Sequence, residues 1–328
     1  MQNSSKYLII ITLLLALASY VLLLNKSPEA AVDALLIPEL QDKVNDVDGI
    51  SISQGQSVLH FYKDGGVWRI KELNSFFADT NKIAQMLLNL RNFKLKQPKT
   101  SNPKNYQKLG LADSQAINIV LKSNENTFAD LFIGKQALKT QGSYVRKKSD
   151  KQSWLSTGQL RIELDKNYWM VKNIIDVDAS QIQSVSYQAV DDEFKIIKAK
   201  PADEVFLLEP MPKDKQLKSS VDLNSLANGL SKFTIDSVVS DITLDEDNLV
   251  NSLSYVLFSG VIYQLKLYKQ ADESYVKIAV ENTATLTAVE KQLDKWIFTL
   301  PKFKFDALNK KITDILEEVS TKKLDSED

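Results

Sequence analysis

The sequence predicts an α+β protein in which an N-terminal transmembrane helix precedes two tandem repeats of antiparallel sheet plus helices. Three observations lead to this prediction. An uncharged, almost entirely apolar run extends from Tyr7 to Leu24. After it, alternating and helix-spaced apolar patterns follow in the order strand, hairpin, helix and further strands. That order occurs twice, with corresponding positions 135 to 142 residues apart, which favours an internal duplication.

The apolar run is long enough to form a membrane anchor. As a helix it spans about 27 Å, close to the ~30 Å thickness of a hydrocarbon core. A cleaved signal peptide is the alternative, although the small residues Ala16 and Ala18 lie inside the run and not before a polar cleavage region. Lys6 precedes the run, and the positive-inside rule then orients the chain. We expect residues 1–6 in the cytoplasm, a single-pass anchor at 7–24 in the inner membrane, and the body in the periplasm.

The first repeat is predicted at residues 45–172, after a connector at 25–44 whose apolar residues 35–38 dock on the body or on the membrane surface. Gly65-Gly66 predicts a hairpin turn, and Asp79 precedes a run with helical spacing. The predicted strands lie near 50–52, 58–62, 67–70, 117–121, 128–133, 144–146 and 154–155, with a helical or turn segment leading into 168–169.

The second repeat is predicted at residues 173–320, before a charged tail at 321–328. Leu223, Leu226 and Leu230 predict its central helix, and Asp306 is expected to cap a last helix that extends to Val319. The predicted strands lie near 182–187, 194–197, 205–208, 253–258, 261–268, 275–280 and 296–298. Strands joined in hairpins imply antiparallel sheets.

The composition is that of a folded protein with two halves of opposite charge. Hydrophobic residues make up 44% and charged residues 25% of the 328 residues, and the net charge is −1. Residues 45–172 contain 20 Lys and Arg against 11 Asp and Glu, whereas residues 173–328 contain 18 against 27. A basic half and an acidic half either attract each other or present different surfaces to partners.

Most catalytic and metal signatures are missing from the sequence. The chain has one histidine, His60, and no cysteine, so neither a Cys/His zinc site nor a catalytic triad is indicated, and we interpret His60 as a sheet residue. Gly134-Lys135 matches only two residues of the phosphate-binding loop pattern and is interpreted as a turn. The acidic stretch 241–247 departs from the EF-hand pattern and is interpreted as a solvated loop. A hydrolase that uses carboxylates alone stays open as a third class, because the chain has 42 acidic residues.

The segment from Thr80 to Ala112 is the candidate binding site. It contains seven basic residues and no acidic one, with Phe93 and Tyr106 interleaved. Such a segment suits anionic lipid headgroups or acidic polysaccharide, whereas a nearly all-lysine set lacks the arginine forks favoured for nucleic acid. The alternative is a solvated lysine-rich face. The seven candidate residues are Lys82, Arg91, Lys94, Lys96, Lys99, Lys104 and Lys108. The four tryptophans are predicted to pack in the core and not to form a ligand platform.

Several segments of the first half resemble a bacterial envelope family that is known only as a domain of unknown function. The resemblance extends over most of residues 36–188. It is carried by 38–47 (PELQDKVNDV), Trp68, 77–79 (FAD), 100–111 (TSNPKNYQKLGL), 133–135 (IGK), 142–146 (GSYVR) and 154–155 (WL). Members resemble single-span proteins with an extracytoplasmic body, and some are encoded beside ABC transporters of the gliding-motility type. The family has no established catalytic residues, so none is assigned to this chain.

These observations predict a non-enzymatic, membrane-anchored extracytoplasmic accessory or scaffold protein. Its expected partners are membrane lipid through the anchor and envelope membrane proteins, an ABC transporter among them, and no cofactor, metal or nucleic acid is expected. The alternative function is an extracytoplasmic binding module for an anionic glycan or lipid.

Overall fold

The computed structural model describes Thr12 and residues 33–124, 126–138, 141–158, 160–239, 241–282 and 285–319. The predicted cytoplasmic N-terminus at 1–6, the anchor at 7–24 apart from Thr12, and the charged tail at 321–328 lie outside the described residues. Among the residues that are described, none of the helices combines the length and the apolar character needed to cross a membrane.

Strands are the dominant element of the described chain. In the first half they are β1 (Gly49–Gln54), β2 (Ser57–Asp64), β3 (Val67–Ile70), β4 (Phe76–Phe77), β5 (Leu95–Pro98), β6 (Ile117–Ser123), β7 (Asn126–Gln136), β8 (Ser143–Lys147) and β9 (Ser153–Ser156). In the second half they are β10 (Asn173–Ile175), β11 (Ile182–Ala189), β12 (Asp192–Ile197), β13 (Leu207–Leu208), β14 (Lys215–Leu217), β15 (Phe233–Thr234), β16 (Ser237–Val239), β17 (Leu249–Leu257), β18 (Ile262–Gln270), β19 (Glu273–Glu281), β20 (Ile297–Thr299) and β21 (Leu316–Glu318).

The helices are short. They are α1 (Leu40–Lys43), α2 (Thr80–Arg91), α3 (Tyr106–Leu109), α4 (Lys166–Trp169), α5 (Leu223–Ala227), α6 (Lys302–Leu308) and α7 (Ile312–Ile315). Only α2 reaches three turns within the described residues, with 12 residues. It begins directly after Asp79, as predicted, and buries Ile83, Met86, Leu87 and Leu90. Each such side chain contributes about 1.5–3 kcal/mol of burial free energy.

The predicted fold class is therefore wrong: the described chain is mostly antiparallel sheet and includes no membrane-spanning helix. Two helix-spaced runs account for much of the difference. After α5 the chain tightens into a 3-10 helix at Asn228–Leu230. The predicted last helix is divided into α6, α7 and β21, with Asp306 inside α6 and not at its N-cap. Leu316 extends because it pairs with Leu217 of β14, so tertiary pairing overrides the local helical periodicity there.

The chain divides into two compact units. The first ends at His60 and resumes over Asn81–Leu164, and the second is formed by Phe61–Thr80 and the residues from Asp165 onward. In the first unit, antiparallel pairing gives the strand order β1-β6-β7-β8-β9-β5. The first unit boundary lies inside β2, whereas the sequence repeats divide the chain at 172/173. The two divisions therefore differ in the segment Phe61–Thr80 and in residues 165–172.

Aromatic packing holds the segment Phe61–Thr80 in the second unit. Phe76 contacts Trp296 and Phe298 edge-to-face at centroid distances of 5.0 and 5.7 Å. The indole of Trp296 donates a hydrogen bond to the carbonyl of Asn74 at 2.9 Å. Arg69 lies over the ring of Phe77 at 4.0 Å. Edge-to-face pairs contribute about 0.5–1.5 kcal/mol each beyond burial, which explains why this hairpin belongs to the second unit.

The second unit contains an eight-stranded antiparallel sheet in the order β13-β12-β11-β17-β18-β19-β20-β16. Six of its pairings have counterparts among those of the first half. β1–β6 corresponds to β11–β17, β2–β3 to β12–β13, β6–β7 to β17–β18, β7–β8 to β18–β19, β8–β9 to β19–β20, and β5–β9 to β16–β20. The repeated order of sequence patterns thus has a counterpart in the order of strand pairing.

The described part of the predicted connector belongs to the first unit. Leu36 and Ile37 are each only 1% exposed. The backbone of Leu36 donates to Phe93, and Leu95 donates to Ala34, so the connector pairs with the chain that leads into β5. In the second unit, β10 pairs in a similar way with β15, the short strand that precedes β16 along the chain. Leu36 and Ile37 of the predicted 35–38 segment therefore dock on the first unit, whereas Pro38 is exposed.

Candidate functional site

The basic segment is divided by the structure among three elements. Lys82 and Arg91 lie half-buried on α2, and the guanidinium of Arg91 donates to the Gln41 side chain at 3.3 Å. Lys104 and Lys108 are exposed on the loop between β5 and β6. The remaining three, Lys94, Lys96 and Lys99, lie along β5 and its two flanking residues, and we call them the lysine row.

The lysine row lies on the last strand in the pairing order of the first unit, and the connector pairs with the beginning of the row at Lys94 and Leu95. All three side chains are exposed, and the row extends about 17 Å at the ~3.3 Å rise per residue of a strand. The pairing of β5 with β9 shifts register between Leu95 and Gln97, so Lys96 lies at a bulge without a cross-strand partner. Within the described residues, none of the three forms an ion pair with a carboxylate. Their charges are therefore available to an external partner.

Two further lysines adjoin this region through tertiary contacts. The backbone of Lys99 pairs with Ser153 at 2.8 Å, which brings the β8–β9 turn alongside the end of the row. The hydroxyl of Tyr106 donates to the carbonyl of Lys151 at 2.5 Å, so exposed Lys151 lies next to the loop that carries Lys104 and Lys108. Lys147, the last residue of β8, lines a cleft of about 230 Å³ beside Leu95. No pattern along the chain indicates these two neighbours, because strand pairing creates the proximity.

Arg146 holds the loop between β5 and β6 against the sheet. Its guanidinium carbon lies 4.6 Å from the ring centroids of both Tyr106 and Phe132. It also donates to the carboxylate of Asp113 and to the carbonyl of Asp150, each at 3.3 Å. Because every one of these contacts is made within the unit, Arg146 supports the basic loop and is not itself available for a ligand.

Gly134 allows the same loop to approach the sheet closely. A Cβ atom at this position would lie 2.3 Å from the carbonyl oxygen of Leu109, so only glycine fits. The interpretation of Gly134-Lys135 as a turn is wrong, because both residues lie inside β7. Tyr106, Leu109, Gly134 and Arg146 all belong to the motifs that carry the family resemblance, and their contacts give those motifs a packing role.

The other candidates from the sequence have structural roles in the described chain. His60 is a half-buried residue of β2. The four tryptophans are at most 8% exposed, which confirms that they pack in the core. In the acidic loop, the Asp245 side chain caps a 3-10 helix, and Glu246 accepts from the hydroxyl of Tyr268 at 2.9 Å. No cluster of three potential metal ligands occurs among the described residues.

A buried carboxylate in the second unit is fully used in packing. Glu290 is 8% exposed and accepts hydrogen bonds from the hydroxyl of Tyr263 at 2.7 Å and from the backbone and hydroxyl of Thr287 at 3.0 and 2.8 Å. Burial first, and then the hydrogen bond and charge of Glu290, raise the pKa of Tyr263. These hydrogen bonds of Glu290 hold the beginning of the 3-10 helix at Glu290–Lys295 in place.

Comparison with known proteins identifies a family but no characterised relative. The model of the family described as Domain of unknown function (DUF4340) matches residues 68–251, which is more than half of the chain. The match starts later than the resemblance seen in the sequence and reaches further into the second half, to the first residues of β17. No curated protein and no solved structure matches the chain significantly. The chain belongs to the DUF4340 family.

Proposed function

We propose that this DUF4340 protein is a non-enzymatic accessory or scaffold protein of the cell envelope. Its body lies outside the cytoplasm, in a periplasm or equivalent compartment, and binds other envelope proteins. An ABC-type transporter is the proposed partner. A sequence of 328 residues without cysteine is compatible with that compartment.

The observation that carries the proposal is the lysine row. Three exposed lysines without carboxylate partners lie on an edge strand in the half of the chain with excess positive charge. A surface of this kind attracts an acidic protein surface and accelerates association, and it loses its effect as salt screens the charges. Arg146 and Gly134 hold the adjoining loop, which carries Lys104 and Lys108, against the sheet.

The buried polar groups support a binding role over a catalytic one. Arg69, Arg146 and Glu290 are the kind of buried ionisable residues from which a catalytic site is built. Each is engaged by neighbouring rings, carbonyls, amides or hydroxyls of its own unit. In Glu290, these hydrogen bonds occupy both carboxylate oxygens.

The test is crosslinking in native membranes followed by purification through a tag after Asp328 and mass spectrometry. Wild type is compared with the triple charge reversal of the lysine row, Lys94→Glu, Lys96→Glu and Lys99→Glu. The matched control reverses three exposed lysines of the second unit, Lys200, Lys213 and Lys291. We expect an ABC-type permease or ATPase in the wild-type and control samples and its loss from the row variant. Recovery of no envelope protein by wild type contradicts the proposal.

The same row favours a second candidate function, the binding of an anionic glycan or lipid headgroup. Lysine ammonium groups are compact, strongly hydrated charges that bind anionic surfaces without demanding a fixed geometry. Under this function, wild type binds vesicles of anionic phospholipid or an acidic polysaccharide, and salt abolishes the binding. The row variant loses that binding and the control variant keeps it. Equal binding by the two variants excludes the row as the site.

A further inference from the structure

The outer face of the eight-stranded sheet carries two lysines in direct opposition. On β18 the side chains alternate, with Leu265 and Leu267 buried and Lys266 exposed between them. The register places Lys266 opposite Lys277 of β19. Side chains that are directly opposite on neighbouring strands have Cβ atoms about 4.5–5.5 Å apart, and like charges in such a pair repel.

The described residues compensate this repulsion only in part. Lys266 lies 3.6 Å from a carboxylate oxygen of Glu246, but both side chains are more than half exposed, at 51% and 62%. An exposed pair of this length contributes little. Lys277 lies 5.4 Å from the ring centroid of Tyr268 and forms no ion pair within the described part of the chain. Positive charge therefore remains between the two strands.

The corresponding strands of the first unit show a cation whose charge is compensated. On β7 and β8, Phe132 and Arg146 are also directly opposite. There the cation faces an aromatic ring at 4.6 Å and pairs with a carboxylate at 3.3 Å. In the second unit Lys277 faces a second lysine; it keeps an aromatic neighbour in Tyr268 at 5.4 Å but has no carboxylate partner among the described residues.

A cleft of about 430 Å³ opens beside the lysine pair. Lys266, Lys277 and a third lysine, Lys295, line it, against one carboxylate, Asp294. Lys295 also donates a hydrogen bond to the Gln292 side chain at 3.0 Å. Trp296 and Ile297 are also among the lining residues. Each lysine ammonium group has three N–H donors, so three lysines that line one small cleft suit an oxyanion.

We propose that this cleft in the second unit binds a small solute through a phosphate or carboxylate group held between Lys266 and Lys277. The bound oxyanion compensates the charge of the two lysines, as the ring of Phe132 and the carboxylate of Asp113 do for Arg146 in the first unit. The site is separate from the lysine row and lies in the half of the chain with net negative charge. It therefore does not depend on the proposed scaffold function.

The test is isothermal titration calorimetry of the full chain in low-salt buffer without phosphate, with inorganic phosphate and with glucuronate as separate probes. The variants are Lys266→Gln and Lys277→Gln. The matched control is Lys269→Gln, an exposed lysine of the same strand that does not line the cleft. Circular dichroism verifies that each variant is folded.

We expect at least one probe to bind wild type with a Kd of about 1 mM or better. Each cleft variant is expected to weaken that binding by about tenfold or more, as is typical of a lost charge-assisted hydrogen bond. The control is expected to bind like wild type. Binding of phosphate alone identifies a phosphorylated solute, and binding of glucuronate alone identifies a carboxylated one. Absence of binding by both probes, or an equal loss in the Lys269→Gln control, overturns the proposal.

Discussion

Replacement of Arg146 tests whether ring stacking or the ion pair holds the basic loop on the sheet. The Arg146 side chain is 9% exposed, whereas its carboxylate partner Asp113 is 79% exposed. The guanidinium lies against the rings of Tyr106 and Phe132. Arg146→Met keeps most of the apolar stem and removes the cation, and Asp113→Asn removes only the ion pair.

The magnitudes separate the two effects. A desolvated cation–π contact contributes up to about 2 kcal/mol, and a hydrogen bond to a carbonyl contributes about 1 kcal/mol. The Nε atom of Arg146 is buried without a partner, so its removal returns about 1 kcal/mol. We therefore expect Arg146→Met to lower the local stability of β7 and β8 by about 2 kcal/mol. Asp113→Asn is expected to cost less than about 1 kcal/mol, because water screens an exposed pair.

Hydrogen–deuterium exchange measures this difference locally, without assuming that the two units unfold together. A loss of about 2 kcal/mol speeds exchange of the β7 and β8 amides by roughly thirtyfold. Peptides from β18 and β19, the corresponding strands of the second unit, provide an internal control and should exchange as in wild type. Arg146→Lys retains the charge but not the planar stacking, and should fall between wild type and Arg146→Met.

The result that refutes this reasoning is an equal effect of Asp113→Asn and Arg146→Met. It means that the ion pair, and not the stacking on the two rings, holds the loop. A strong salt dependence of the stability loss in Arg146→Met likewise indicates that the ion pair holds the loop.

Three further predictions follow from close contacts and from one perturbed group. Gly134→Ala places its Cβ against the carbonyl of Leu109, a backbone atom that yields little, and should destabilise the first unit by about 2 kcal/mol in exchange measurements. Gly229→Ala places a Cβ against the Tyr255 hydroxyl and should lower the free energy of unfolding by about 1–3 kcal/mol. Adding Tyr255→Phe removes that hydroxyl and should recover at least half of the loss. An unchanged loss in the double variant refutes the contact. Burial, and then the hydrogen bond and charge of Glu246, raise the pKa of Tyr268 to about 12. The stability that results from this raised pKa is complete below pH 10 and is lost as the pH rises from 10 to 12. The free energy of unfolding of wild type should therefore fall more steeply with pH in that window, and Tyr268→Phe should reduce this slope.

Local periodicity predicted most strands of the fold, the whole of α2 and the beginning of the helical segment at α5. The alternation in 50–52 and 182–187 lies within β1 and β11, and that in 261–268 begins one residue before β18. The 3.6-residue spacing after Asp79 gave α2, because its apolar positions fall on one buried face. The same spacing failed near the C-terminus, where Leu316 extends to pair with β14. A short apolar run fits both the 3.6-residue period of a helix and the two-residue period of a strand. The strand with which it pairs therefore decides its conformation.

The candidate site was predicted as a set of residues but not as a surface. The absence of acidic residues from Thr80 to Ala112 was visible in the sequence, yet the structure keeps only Lys94, Lys96 and Lys99 together on one strand. Lys151 joins the region because the β8–β9 turn lies beside the end of β5. No spacing rule along the chain reports such a neighbour.

The sequence by itself determined the charge of each half, the residue types available for chemistry, and the positions of most strands. Those properties depend on composition and on short-range alternation, which are written in consecutive residues. Only the tertiary structure decided that the segment Phe61–Thr80 packs with Trp296, that Arg146 lies between two rings, and that Lys266 faces Lys277. Strand register and side-chain contacts join residues that are far apart in the chain, and their free energies depend on geometry that no local pattern specifies.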